Sequence, residues 1–239
     1  NVVIKSKKVT GAIPTDPADP FWQAGGEGGQ DTNWFPMVGQ VIRHERHFTP
    51  TVRDIFVKSV FNQDEIGFLI SWNDPSASKE GDPLPVVGGA VEEDIFGSFG
   101  QEEGGDAGGA SAPTTASDDA ISVQFPSLDS QGFKKPYFLR GDDKLSVNLW
   151  NWTAGKLSES NSNGIDKETM QPQEGVGIQG AGGYKEGRYQ IVLKRSLLTN
   201  DKVNDTQFEV GKFISIAFQA RDGHHGESGT KMSISHWYF

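Results

Sequence analysis

Two histidine groupings stand where metal or acid–base chemistry would first be sought. His44 and His47 occur in Arg43-His44-Glu45-Arg46-His47. A spacing of three on a strand sends two rings to opposite faces, so the pattern reads as a solvated, charge-rich strand end rather than a shared metal site. His224 and His225 follow Arg221-Asp222-Gly223 and precede Gly226-Glu227, which places them at a turn where metal binding would need further ligands. The chain has no Cys, which excludes disulfides, thiolate metal sites, iron–sulfur clusters and covalent haem attachment. It also lacks a nucleophile elbow, a zinc-protease helix, a phosphate-binding loop and a dinucleotide fingerprint. There is no D-x-[DN]-x-[DN]-G calcium loop, and residue order alone pairs no catalytic carboxylates.

The elements around these residues read as strands. Apolar side chains alternate in Met37 to Ile42, Ile55 to Phe61, Glu65 to Trp72, Ala120 to Phe125, Lys144 to Trp152, Arg188 to Leu193, Phe213 to Ala220 and Lys231 to Trp237. Asn62-Gln63-Asp64 reads as a hairpin turn between the second and third of these. A short helix is expected near Arg195 to Asn200. The fold expected is an all-β antiparallel sandwich with long loops and little helix, formed as one domain over residues 1–239. An N-terminal arm occupies about residues 1–35, and a Gly-rich, acidic insertion runs from about 73 to 117. A stretch of that length is expected to project from the sandwich and to dock on a partner or move freely.

A formal net charge of −10 argues against nucleic acid and anionic membrane surfaces as partners. No apolar run approaches the roughly 18 residues needed to span a bilayer. A start at Asn1 without Met fits removal of an export signal and fits a trimmed chain equally.

Taken in order, several strand motifs form a set: Ser71-Trp72-Asn73-Asp74, then Asp119-Ala120-Ile121-Ser122-Val123-Gln124-Phe125-Pro126, then Pro136-Tyr137-Phe138-Leu139-Arg140-Gly141-Asp142. Ser146-Val147-Asn148-Leu149-Trp150-Asn151-Trp152 follows, then Gly187-Arg188-Tyr189-Gln190-Ile191-Val192-Leu193-Lys194-Arg195. The set closes with Ile216-Ala217-Phe218-Gln219-Ala220-Arg221-Asp222-Gly223 and Lys231-Met232-Ser233-Ile234-Ser235-His236-Trp237. From about Phe21 to the C-terminus this series resembles the haem b-binding γ subunits of ethylbenzene dehydrogenase, dimethylsulfide dehydrogenase, selenate and chlorate reductases and related nitrite oxidoreductases.

The resemblance implies a β-sandwich holding one non-covalent haem b between loops at one end, with a Lys amine and a Met thioether as axial ligands. Lys231 matches the lysine position. Such an amine must be neutral to donate its lone pair, and burial beside a porphyrin favours the neutral form. The methionine is expected between Trp72 and Gly141, and that region contains none. Either Met170 or Met37 then reaches the iron, another residue ligates it, or the haem site is weakened or absent; Met232 should face away from Lys231 along a strand. Phe125, Phe138, Trp150 and Trp237 are the aromatics expected to wall the haem, with ordinary sandwich core as the plain alternative. Arg140 or Lys135 would pair with a propionate. The subunit would be exported, periplasmic in a bacterium. It would relay electrons between the iron–sulfur and molybdenum subunits of its complex and a c-type cytochrome, the substrate chemistry residing elsewhere.

A second class fits the same pattern. A β-sandwich with aromatics and acidic loops also suits a carbohydrate- or small-ligand-binding module, and a haem-free structural subunit remains a third reading.

Overall fold

Ile66, Phe68, Ile70 and Trp72 on one face and Gly67, Leu69 and Ser71 on the other make β5 (Glu65–Asn73) the centre of one sheet, paired on one side with β4 (Asp54–Phe61) and on the other with β11 (Arg188–Ser196). The computed structural model describes residues 3–84, 115–127, 134–171 and 177–239. Among them, β1 (Lys7–Lys8), β2 (Asn33–Pro36) and β10 (Gln179–Lys185) complete a six-stranded sheet in the order β1-β4-β5-β11-β10, with β2 also on β4. The second sheet is seven-stranded, in the order β3-β13-β12-β6-β7-β8-β9. Its members are β3 (Val38–Gly39), β6 (Ala120–Pro126), β7 (Val147–Thr153), β8 (Lys156–Ser162), β9 (Glu168–Met170), β12 (Ala217–Arg221) and β13 (Ser233–Ile234). Every pairing but β1 with β4 is antiparallel.

The two sheets face each other across one apolar layer. Ile55, Val57, Phe68, Trp72 and Ile191 of the first sheet meet Ile121, Val123, Phe125, Trp150 and Phe218 of the second. Ring contacts cross the layer, Phe68 to Phe125 at 5.7 Å and Trp72 to Trp152 at 6.2 Å. Each such side chain fully removed from water stabilises the fold by about 1.5–3 kcal/mol before entropy is counted.

Both outer faces are covered, for different reasons. The outward residues of the first sheet, Val60, Leu69 and Val192, are apolar, and the N-terminal segment lies across them with Val9, Ile13 and Trp22. Lys58 Nζ donates to the Trp22 carbonyl at 2.9 Å, and Lys194 Nζ to that of Ile13 at 2.7 Å. The other face of the second sheet is polar: Ser122 bonds Asn151 at 2.6 Å and Gln219 bonds Gln124 at 3.0 Å. Residues 138–140 close over it, the Arg140 guanidinium reaching Gln219 at 2.9 Å and also Glu168.

Several sequence expectations change. The strand expected over Met37 to Ile42 is interrupted, because the chain leaves the first sheet after Pro36 and joins the second at Val38. No helix forms at Arg195 to Asn200: β11 runs on to Ser196, since Leu193 and Arg195 both point into the core at a spacing of two. The strand expected from Phe213 starts at Ala217, and the one from Lys231 to Trp237 shortens to Ser233–Ile234, followed by an isolated bridge between Ile216 and Tyr238. Most of the 73–117 insertion lies outside the described residues. Its two ends are clasped, Ala116 N–H donating to the Asp82 carbonyl at 2.8 Å.

Candidate functional site

Strands β5, β6 and β12 bring three aspartates to one end of the sandwich. Asp74 follows β5, Asp119 precedes β6 and Asp222 follows β12, so the group bridges the two sheets at the mouth of the core. All three are buried, at 2%, 0% and 1% exposure. One carboxylate oxygen from each lies within 4.8 Å of the other two.

Their surroundings differ. Asp119 is the anchored member: it accepts from Ser78 N–H at 2.6 Å, Ser78 Oγ at 2.7 Å, Tyr189 Oη at 2.6 Å and Gly223 N–H at 2.8 Å. Gly223 is required there, because a Cβ would stand 1.8 Å from the Ser117 carbonyl oxygen. Asp222 accepts from the backbone N–H of His225 at 3.2 Å and faces His225 Nδ1 at 2.7 Å. Asp74 accepts one N–H, from Ser76 at 3.1 Å, and its Oδ2 has no hydrogen-bond partner. Burial, then the neighbouring Asp222 and more weakly Asp119, push the Asp74 carboxyl up to about 7. Burial and the hydrogen bond to Asp119 push the Tyr189 hydroxyl up as well, which keeps it a donor.

Beside this group, the loop after β12 is fixed by Glu227. Its carboxylate, fully buried, faces His47 Nε2 at 2.6 Å, accepts from Thr51 Oγ1 at 2.6 Å and caps the Asp222 N–H at 2.9 Å. Gln40 completes the tie, with its Nε2 donating to the carbonyls of Arg43, Glu45 and Thr230. The sequence reading had His47 on a solvated strand end; its ring is buried in this tie, while His44 is exposed.

Lys231 lies in the same loop. Its backbone N–H donates to the Ser228 carbonyl at 2.9 Å. Its half-buried side chain forms no hydrogen bond or ion pair with the described residues. The other expected ligands and walls do not gather around it. Met170 ends β9 and is 52% exposed. Five strand steps separate β9 from β13, roughly 24 Å along a flat sheet, and sheet curvature leaves Met170 on the opposite edge from the Lys231 loop. Met37 is buried in the inter-sheet core, and Met232 packs against Leu139, Ile165 and Ile234. Phe125 and Trp150 are inter-sheet core, 5.0 Å apart, with Phe125 toward the opposite end of β6 from Asp119. Phe138 sits outside the second sheet against His236, and Trp237 Nε1 donates to the Pro136 carbonyl at 2.8 Å. These four aromatics are thus divided between the inter-sheet core and the outer side of the second sheet. Arg140 is already engaged by Glu168 and Gln219, and Lys135 Nζ stands 3.8 Å over the Phe239 ring.

Comparison with known proteins adds the following. No family profile matches the chain. A candidate respiratory nitrate reductase haem subunit of Haloferax mediterranei is 31% identical over 121 residues, 50% of this chain and 42% of that protein. The match thus spans less than half of that relative's length. Among solved structures, a carbohydrate-binding module of family 9 from Caldicellulosiruptor kristjanssonii, with glucose bound, has a TM-score of 0.45 at 10% identity, covering 97% of this chain and 85% of that one. A candidate carbohydrate-binding protein of Bacteroides uniformis has 0.46 at 15%, covering 98% and 88%. No ligand is transferred to this chain from likenesses of that size.

The aspartate group was not read from the sequence, although each member was in view within a quoted motif. The signal available was positional: Asn73-Asp74, Asp118-Asp119 and Arg221-Asp222 each put an acid directly at the end of a buried strand. Only the sheet order shows that those three ends meet.

Proposed function

We propose that this chain is a non-catalytic electron-carrying subunit of a respiratory oxidoreductase complex and holds one haem b non-covalently, with Lys231 as an axial ligand. The observation that carries the reading is the 121-residue match to a protein named as a haem subunit. The structure supports it at one point: the Lys231 side chain is uncommitted, on a loop whose neighbours Glu227, Thr230 and Met232 are tied down. An amine held in this way offers a ligand at little ordering cost. The absence of Cys requires non-covalent attachment.

For the second ligand we propose a nitrogen donor beside Lys231 in place of Met170, which is exposed at the end of β9, and of Met37 and Met232, which are packed in apolar clusters. The loop packed on that of Lys231, through Thr230 Oγ1 to the Glu45 carbonyl at 3.3 Å, carries His44 as an exposed nitrogen donor with no hydrogen bond to the described residues. Bound haem would supply one-electron chemistry, at a potential set by its ligands and the dryness around it. In this reading the partners are iron–sulfur and molybdenum subunits on one side and a c-type cytochrome on the other, in an exported complex. No helix among the described residues is long and apolar enough to cross a membrane.

A sugar-binding role finds less support. The 720 Å³ groove beside β8 and β9 is lined by polar residues such as Asn161, Gln171 and Asp205 with no aromatic ring among its described lining residues, and the smaller hollow that does carry rings, Trp152, Tyr184 and Tyr189, has two of them, Trp152 and Tyr189, committed to the inter-sheet core.

The test is an absorption spectrum of the natively purified protein, oxidised and then reduced by dithionite. A Soret band with the reduced α and β bands of a six-coordinate haem b is expected, and Lys231→Ala should convert it to a five-coordinate spectrum or abolish it. A featureless spectrum from protein isolated with its partners and ample haem would end the reading.

A further inference from the structure

We propose that Asp74, Asp119 and Asp222 bind one hard divalent cation of the calcium class, which staples together the strand ends and loops at this end of the sandwich. The site is independent of any haem. Its first basis is geometry: three carboxylate oxygens within 4.8 Å of one another fit around an ion whose oxygen ligands lie at about 2.4 Å, where two ligands on opposite sides are about 4.8 Å apart. Its second basis is Asp74 Oδ2, a buried carboxylate oxygen without a hydrogen-bond partner on a side chain only 2% exposed. A buried carboxylate oxygen without a donor is costly, and a cation satisfies it directly.

The ligand chemistry is all oxygen. Asp222 keeps a lone pair on each oxygen beyond its bonds to His225. Asp119 is fully subscribed, but two of its four donors are hydroxyls, Ser78 Oγ and Tyr189 Oη. The Ser78 hydroxyl can turn and present its own lone pairs to an ion. Ser76, whose backbone N–H bonds Asp74, also has a buried hydroxyl without a partner. The buried Trp72 indole N–H faces the Asp74 carboxyl and acts weakly against the rise that burial causes, so it also suits a water in the ion's shell. The charge balance calls for a cation. Among the described residues no Lys or Arg forms an ion pair with any of the three, and His225, on Asp222, is the sole titratable base in contact with them. Three buried carboxylates so close cannot all ionise unaided.

The alternative occupant is a proton on Asp74, and one experiment separates the two. The full chain, stripped with EGTA and dialysed at pH 7.5, is titrated with CaCl₂ by calorimetry and melted with and without Ca²⁺. The expected result is saturable one-to-one binding. Thermal stability should rise by roughly 5–10 °C at a hundredfold excess over Kd. Asp74→Asn keeps the acceptor for Ser76 and removes one charge; it should weaken Ca²⁺ binding at least tenfold and erase the shift. Asp31→Asn, an exposed control of equal charge change, should leave both intact. No saturable binding by the unaltered protein overturns the proposal in favour of the proton, and binding unchanged in Asp74→Asn overturns it by placing the ion elsewhere. The haem spectrum of the same samples reports on the other reading separately.

Discussion

At the scale of single residues, several buried polar atoms without partners, Trp72 Nε1, Asp74 Oδ2 and Ser76 Oγ, fall close together in the chain at the end of β5. Asp74 shows this most directly, because its carboxyl titrates near neutrality while ordinary aspartates titrate near 4. Its folded-state pKa is raised, so between about pH 4 and about pH 7 the folded chain holds a proton that the unfolded chain has released. Stability of the metal-free protein should therefore fall as pH rises through that window. Urea melts in EGTA at pH 5 and pH 7.5 check this; a flat profile in the unaltered protein, or an unchanged slope in Asp74→Asn, would contradict it. The proposed role of Lys231 comes from its neighbours in sequence, whereas the aspartate group could not be seen there. Residue order records that an acid ends a strand, but which strand ends meet depends on pairings between segments more than a hundred residues apart.

Elements explain where sequence periodicity succeeded. Strands β4, β5, β6, β7 and β11 alternate cleanly because one face meets the core, and they lie close to where alternation put them. Strands β8 and β10, Lys-Leu-Ser-Glu-Ser-Asn-Ser and Gln-Gly-Ala-Gly-Gly-Tyr-Lys, carry little apolar signal and are held by their neighbours' backbones, so they read as loop. Within β11 the exception is Arg195, fully buried yet charged, stacked 4.9 Å from Trp150 and paired with Glu159 at 2.8 Å. Burial pushes Glu159 up and Arg195 down from their ordinary ranges, opposing the pair's own attraction. Glu159→Gln or Arg195→Met alone should cost about 3–5 kcal/mol, whereas replacing both with apolar residues of similar volume should recover most of it. Denaturant melts of the three variants decide the matter. On the first sheet's outer face, Trp22→Ala should cost about 3–5 kcal/mol, because Trp22 fixes the N-terminal segment over Val60, Leu69 and Val192.

For the whole molecule, a net charge of −10 matters more for encounter than for fold. If the chain passes electrons to a basic cytochrome, the bimolecular rate should drop at least severalfold as ionic strength rises from about 0.02 to about 0.2 M. Stopped-flow reduction at several salt concentrations would show it, and a salt-independent rate would place the contact on an uncharged surface. The two-layer architecture also separates the molecule's ends. Ile4 N–H donates to the Phe239 carbonyl at 2.6 Å, and both residues line the same apolar hollow as Phe61 and Phe125, away from the aspartates and Lys231. A surface tether or fluorescent reporter attached at either position would thus leave from a shared seam and stay clear of whatever docks at the opposite mouth of the sandwich.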